Sequence, residues 1–471
     1  MATISSALSL ISQALDNNQA ALNVVANNVA NAGTAGYTEE TPTWQENSTV
    51  SINGTSYGQG STMTGPSSQR DLILNQRLNQ QQQLSSASST RLTALNAVQA
   101  VFTPASSTSS TTGNIGTDLT AFFSSFSTLE SQPTSSAYRE AVLSSATTLA
   151  SDISSSAASL ESQRSSLDQD ASGVVTQVNA LTTSISQLNQ QITQSGSGSA
   201  DAGTLEDQRQ LDLSKLSQLI GVNQVATANN GLAITTTSGQ LLVSGSSNYA
   251  LSTGQSGGVT DIFLGTTDIT SSLTTGGGSL GGYLTARDVD VAGAITSLDQ
   301  LANGISTSVN SLNNAGQDQA GDTSNAGNIF SQSATVSGSA LSMSVVMTDP
   351  THIAAASSTA GASDNTNAVA IANLANQKIV NNQTPSNYYS SFVSTLGATV
   401  TTVQTQSDAQ SASVTQLQTQ VDSTSAVNLN DEASAMTTLE RSYQAASQVF
   451  SILNTIMSSA LNLGTETTVS G

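Results

Sequence analysis

The chain contains no cysteine, which excludes a disulfide framework and any thiolate metal site. Its single histidine, His352, means that a histidine metal site or a Ser–His pair would rest on one ring. Charge is scarce: 9% of residues are Asp, Glu, Lys or Arg, against about 25% in ordinary globular domains. Only Lys215 and Lys378 are lysines, and the net charge is −21. Nucleic-acid binding is disfavoured, because phosphate recognition needs clustered Lys and Arg. Aromatics make up 4%, with Trp44 the one tryptophan. A sparse, mostly aliphatic apolar content suits thin packing between helices better than a thick core. No apolar run approaches the roughly 18 residues of a membrane span, so no membrane insertion is expected. The first basic residue is Arg70. The cationic start and apolar run of a secretory signal are therefore missing, and any export would use a route that cuts no such signal.

What is present is helical periodicity. Near the C-terminus an apolar line runs through Met436, Leu439, Tyr443, Ala446, Phe450, Leu453, Met457 and Ala460, the three-four spacing of a coiled-coil seam. The N-terminus carries a matching line through Ile4, Leu8, Ile11, Leu15, Asn18, Leu22, Val25 and Val29. Each helix would be roughly 38 Å long. Asn18 is the one polar residue on either seam, the kind of group that fixes register at some cost in stability. Two matched, single-faced helices at opposite ends predict a chain that leaves and returns to the same place. Two amphipathic helices docked on separate domains would show similar stripes.

The expected fold class is mainly α with a β insertion: an elongated molecule, its terminal helices paired as a coiled coil, with a long helical bundle domain and a small β-rich outer domain. Residues 1–69 read as a helix and an extended arm that pair with 427–471. Within the arm, Asn53-Gly54 is a turn candidate. Residues 70–220 read as the first half of the bundle. Their longest seam runs from Val142 to Ile192 at four-three spacing, with one irregular step between Ile153 and Ala157; Arg164 lies on it, with its stem packed. Ser/Thr-rich Thr103–Gly113 and glycine-rich Ser195–Gly203 read as breaks. Residues 221–280 alternate short apolar segments with Gly, Asn, Ser and Thr, the texture of small strands joined by turns. Residues 281–330 return to helix. Residues 331–358 carry Leu341, Met343, Val345 and Met347 at a period of two and are expected to join the β insertion. Residues 359–426 complete the bundle, with a helix expected from about Asn365 to Val380.

Particular motifs carry a resemblance. Ala7-Leu8, Gln19-Ala20-Ala21-Leu22, Asn27-Asn28-Val29-Ala30-Asn31 and Gly36-Tyr37 resemble the N-terminal signature of the bacterial flagellar axial proteins, the rod, hook and hook-associated group. Val427-Asn428-Leu429-Asn430-Asp431-Glu432-Ala433 and Tyr443-Gln444-Ala445-Ala446 resemble their C-terminal signature. Pro133, Arg139 with Ala141-Val142-Leu143, Asp207-Gln208-Arg209, Gly278–Tyr283 with Arg287-Asp288, and Tyr388–Ser391 resemble the hook-associated proteins of the first hook–filament junction. This chain has Ala35 where the family usually has Pro before the Gly-Tyr pair, and Glu39-Glu40 where polar or basic residues are usual. The resemblance implies terminal helices in a tube wall, a helical second domain and an outward β domain. It also implies unfolded export through the flagellar type III channel to the extracellular hook, and a ring of about eleven copies. The implied partners are the hook protein, the second junction protein and an export chaperone for the C-terminal helix.

Catalytic constellations are scarce, and no enzyme activity or cofactor is expected. His352 sits in the turn Asp349-Pro350-Thr351-His352 and reads as structural. Glu39/Glu40, Asp288/Asp290 and Asp431/Glu432 are acid pairs suited in principle to acid–base work, but such neighbours usually belong to solvated faces or helix starts. Asp431-Glu432 favours the positive end of the terminal helix. Gly276–Gly282 lacks both phosphate-loop patterns. The terminal helices carry too little Lys or Arg for an anionic bilayer. Competing readings are another axial protein (a flagellin or the second junction protein), a secreted adhesin binding through its β insertion, and, more remotely, a glycan-cleaving enzyme.

Overall fold

The computed structural model describes residues 2–52, 54–102, 114–195, 200–227, 230–324 and 326–466. Asn53 and the expected break at 103–113 lie outside them, as do 196–199 of the second break. The chain divides into two compact units. Unit 1 comprises Met1–Gln83, Gln177–Leu251 and Ser411–Gly471; unit 2 comprises Leu84–Thr176 and Ser252–Gln410. Mainly helical architecture with small antiparallel sheets is what the periodicity predicts.

In unit 1, α1 (Ala2–Asn31) packs along α11 (Leu429–Glu466) and against a β arm. The arm pairs β1 (Glu40–Glu46) antiparallel with β4 (Ser61–Ser68), with a bulge between Thr43 and Trp44. Between them β2 (Val50–Ile52) and β3 (Thr55–Tyr57) form a hairpin in which Ile52 faces Thr55. Gly54 takes φ +81, a conformation glycine adopts without a Cβ clash. Polar side chains of α1 fasten the arm: Gln13 donates to Thr62 Oγ1 at 2.7 Å, and Asn17 Oδ1 accepts from the Met63 N–H at 3.1 Å.

Three long helices continue from one segment of the division to the next: α2 (Leu72–Phe102), α4 (Ser136–Ser195) and α10 (Pro385–Ser425). Asp71 caps α2, its Oδ1 accepting from the Ile73 and Leu74 N–H groups, two of the donors a helix start leaves unpaired. Unit 1 also holds α5 (Ala200–Leu219) and a four-stranded antiparallel sheet of β5 (Val222–Ala226), β6 (Leu232–Thr236), β7 (Leu241–Ser244) and β8 (Ser247–Asn248). Asn189 of α4 secures that sheet, donating to the Leu232 and Gly245 carbonyls, both at 2.9 Å.

Unit 2 contains the main hydrophobic cluster. In α3 (Ile115–Leu129), Asn114 caps the first turn, and Ile115, Leu119, Phe122, Phe123, Phe126 and Leu129 are all buried. Phe122 packs against Phe123, Phe126 and Phe330 with ring centroids 5.1, 5.5 and 5.4 Å apart. The α4 seam faces the same cluster: Val142, Ala146, Leu149, Ile153, Ala157 and Leu160 are buried. Arg164 leaves that line half-exposed, paired with Glu161 at 3.3 Å. A further three-stranded sheet has the order β11 (Thr267–Asp268), β10 (Val259–Leu264), β9 (Leu251–Ser256). After α6 (Thr270–Thr274) and α7 (Gly278–Thr285), a π-helical turn at Ala286–Val291 leads into α8 (Ala292–Ala315). That turn places Arg287, 1% exposed, where it meets Asp168 at 2.5 Å, the Thr260 carbonyl at 2.7 Å and its neighbour Asp288. A buried guanidinium is tolerated when carboxylates and carbonyls occupy its donors.

Three expectations need correction. The β insertion at 221–280 is not one sheet: β5–β8 fall in unit 1, and all but the first residue of β9–β11 in unit 2. Residues 341–347 form turns with one bridge, Phe330 to Val345, and do not join the insertion. Their backbone bonds to 329–331 instead, and Asn310 of α8 holds that stretch through the Ile329 and Phe330 N–H groups and the Phe330 carbonyl. The alternation places Met343 and Met347 in the hydrophobic cluster and Val345 against it, while Leu341 is exposed. Strands β12 (Gly316–Gln317) and β13 (Ala356–Ser357) pair with each other. The helix expected to Val380 ends earlier, as α9 (Thr366–Asn373) and one 3-10 turn. Val380 is buried in a bridge to Gln383, across Asn381 and Asn382 with positive φ.

Candidate assembly interface

The α1–α11 joint is built around one side chain. Asn28 of α1 is 1% exposed. Its Nδ2 donates to the Glu40 carbonyl and to Glu432 Oε1 of α11, both at 2.8 Å. Its Oδ1 accepts from the Tyr37 hydroxyl at 2.8 Å and the Glu40 N–H at 3.0 Å. A primary amide has two donors and two acceptor sites, so Asn28 is saturated. The orientation of the amide is fixed, because a backbone N–H needs the oxygen and a backbone carbonyl needs the nitrogen.

Around it lies a carboxylate-rich shell. Arg70 pairs with Asp207 and, at 3.7 Å, with Glu206, while the Thr38 N–H donates to Asp207 Oδ2 at 3.1 Å. Burial raises the Glu40 carboxyl above its ordinary range, reinforced by Asp207 and Glu206 and opposed by Arg70. Burial likewise raises Asp207, against Arg70 and Thr38. Glu432 is 5% exposed and is also raised by burial, with the Asn28 hydrogen bond opposing. Its Oε2 is buried without a partner. Burial and the surrounding acids hold the Tyr37 hydroxyl in its neutral form, as its role as a donor requires.

Away from this joint the pair is only half-closed. Ile4, Leu8, Ile11, Leu15, Asn18 and Leu22 are half-buried, and Val25 is buried. Val29 is 41% exposed, because the last turn of α1 presents Asn28 inward instead. On α11, Met436, Leu439, Ala446, Phe450, Leu453 and Met457 are half-buried, whereas Tyr443 and Ala460 are exposed. Asn27 and Asn31 bond each other at the end of α1, and Gly36, with φ +81, turns the chain toward Tyr37. Asn428 caps α11, accepting from the Asn430 N–H and donating to Asp431. Val427 is half-buried, while Leu429 and Gln444 are exposed.

The sequence reading missed the burial of Glu40 and the place of Arg70. A signal exists: with ten Lys and Arg in the chain, each cation is scarce, and most hold a joint. Arg91 binds Asp290 at 2.8 and 2.9 Å, and Arg139 is fully buried and donates to the Ile353 and Pro133 carbonyls. The acid pairs Asp288/Asp290 and Asp431/Glu432 are likewise occupied with structural partners. His352 closes a 3-10 turn.

Residues 105–330 match the family described as the flagellar hook-associated protein FlgK helical domain. Residues 8–38 match the flagella basal body rod protein family. The helical-domain match spans just under half of the chain. Its fold is that of the flagellar hook junction protein FlgK from Burkholderia pseudomallei. That structure superposes with a TM-score of 0.64 at 20% identity, over 73% of this chain and 99% of that one. A comparison with curated protein sequences gives no match. The rod-family match contains Asn28 and Tyr37, while their partners Glu40 and Glu432 lie outside it. Among the described residues no helix is long and apolar enough to cross a membrane, and the family's place is the external flagellum.

Proposed function

We propose that this chain is a structural subunit on the hook side of the flagellar hook–filament junction, with no enzymatic activity. Copies assemble through α1 and α11 into a ring of about eleven, with the hook protein below and the second junction protein above. The assembling part is residues 1–69 with 427–471. The chain leaves the cell unfolded through the flagellar type III channel.

One observation carries this reading. The terminal helices of a flagellar hook-associated chain pair with each other yet keep most seam side chains half-exposed. Helices of low propensity gain most of their stability from packing, and a neighbour that binds only the folded form completes them by mass action. Deleting residues 436–471 tests it. Electron microscopy of cells making the truncated chain should show hooks without filaments. Filament-bearing hooks containing the truncated chain would overturn the reading.

A further inference from the structure

The structure holds a second pair of apolar features on the same two helices. Val449, Ile452 and Ile456 of α11 are 42%, 59% and 47% exposed. They lie one residue before Phe450, Leu453 and Met457, hence about 100° round the helix from the seam. On the α1 side, a groove of about 410 Å³ opens between the helix and the β2–β3 hairpin, lined by Ser6, Leu10, Gln13, Val50 and Tyr57. Leu10 is seated against Gly60, where an added Cβ would come within 2.7 Å of it.

Height along the pair relates the two. α1 ends and α11 begins at the Asn28–Glu432 bond, so their lengths overlap only if they run antiparallel. Leu10 lies 18 residues before Asn28, and Phe450 lies 18 after Glu432. The groove therefore stands level with the Val449–Ile452 stripe. Charge follows the same rule. Asp16 is the one charged residue of α1 and Arg441 the one cation of α11; both are exposed, and neither forms an ion pair among the described residues. They differ in height by three residues, about 4.5 Å.

We propose that the occupant of the groove is the Val449–Ile452–Ile456 stripe of a second copy, placed beside the first with little axial shift. Asp16 of one copy then meets Arg441 of the next. Such a contact joins two different surfaces, so it repeats from copy to copy, the geometry that builds rings and tubes. A large exposed apolar stripe beside one complementary charge is what such a surface requires. The inference rests on the assembly role above and adds which faces meet.

The absence of native cysteine makes the test clean. Two differently tagged full-length chains are co-produced, one carrying Leu10→Cys and the other Ile452→Cys, and hooks are isolated and oxidised. The expected result is a disulfide product bearing both tags in assembled hooks, at least about tenfold above that from Leu10→Cys with Asn454→Cys, half a turn away on α11. Chains that enter the junction and support swimming but cross-link equally at both positions, or at neither, overturn the face assignment while leaving the assembly role standing. Charge exchange provides the second measure: Asp16→Arg should reduce incorporation, and adding Arg441→Asp should restore it. Incorporation that stays low in the double variant also overturns the proposal. Chains absent from hooks in every variant, the wild type included, would instead defeat the assembly role itself.

Discussion

Unit 2 and the α1–α11 pair solve the same packing problem to different degrees. In unit 2, Phe122, Phe126, Leu119, Leu149 and Ile153 are fully enclosed, and each such side chain contributes about 1.5–3 kcal/mol by leaving water. In the pair, Leu8, Leu15, Phe450 and Leu453 are half-buried, and closure is concentrated at one polar joint. The difference separates two tasks. A closed aromatic cluster holds a unit that is complete in itself, whereas a half-closed seam reserves surface for something outside the single chain.

Truncation in the two regions should give the sharpest contrast. Phe122→Ala leaves a cavity in an enclosed cluster and should cost about 3–5 kcal/mol in denaturant unfolding. Leu453→Ala should cost the isolated chain less than about 1.5 kcal/mol and yet reduce incorporation into hooks. Equal losses of stability at both sites would erase the distinction.

Next in size is the joint. Asn28→Ala deprives Glu432, Tyr37 and both backbone groups of Glu40 of their partner, and should cost about 1–3 kcal/mol. Faster hydrogen exchange is expected in α1 and the start of α11, with α3 protection unchanged. Loss of protection in α3 as well would show that the regions do not unfold separately.

The smallest effect tests unit 2 by titration. Asp118 of α3 is pushed up to about 6 by burial and by the carboxyl of Asp152 on α4, and each keeps a buried oxygen without a partner. The folded form thus holds a proton that the unfolded chain releases nearer pH 4. Its stabilising effect is complete below that pH and is lost as pH rises through about 6. Asp118→Asn should flatten this slope in thermal unfolding, and a slope left unchanged would place its origin elsewhere.

How far the sequence disclosed this structure varies with the kind of signal. The α4 seam was legible because Val142, Ala146, Leu149, Ile153 and Leu160 follow one period and all end up buried. The half-closed pair was legible as two lines of residues, but Asn28 was readable only as part of a motif, since one inward turn at the end of a helix leaves no periodic trace. Residues 341–347 misled because alternation reports side-chain direction, while strand formation depends on a free backbone partner. Here residues 344–346 do bond to 329–331, but through a single bridge, and Asn310 takes the Phe330 N–H and carbonyl that face away from it. Arg70 and Asp207 are 137 positions apart, and no local pattern marks two charges as neighbours across such a distance.

The Asn28–Glu432 bond has one more consequence. Its partners are 404 positions apart, so the clasp closes nearly the whole polypeptide into a loop. The entropy of that closure grows only slowly with length, but it must be overcome before the contact returns anything, which makes such pairings late events. Asn28 itself does not wait for that event, since its bonds to Tyr37 and Glu40 span only 9 and 12 positions; only its bond to α11 depends on the far end of the chain. The clasp therefore closes in two stages, a local one that orders the turn after the first helix and a distant one that ties the two ends of the chain together.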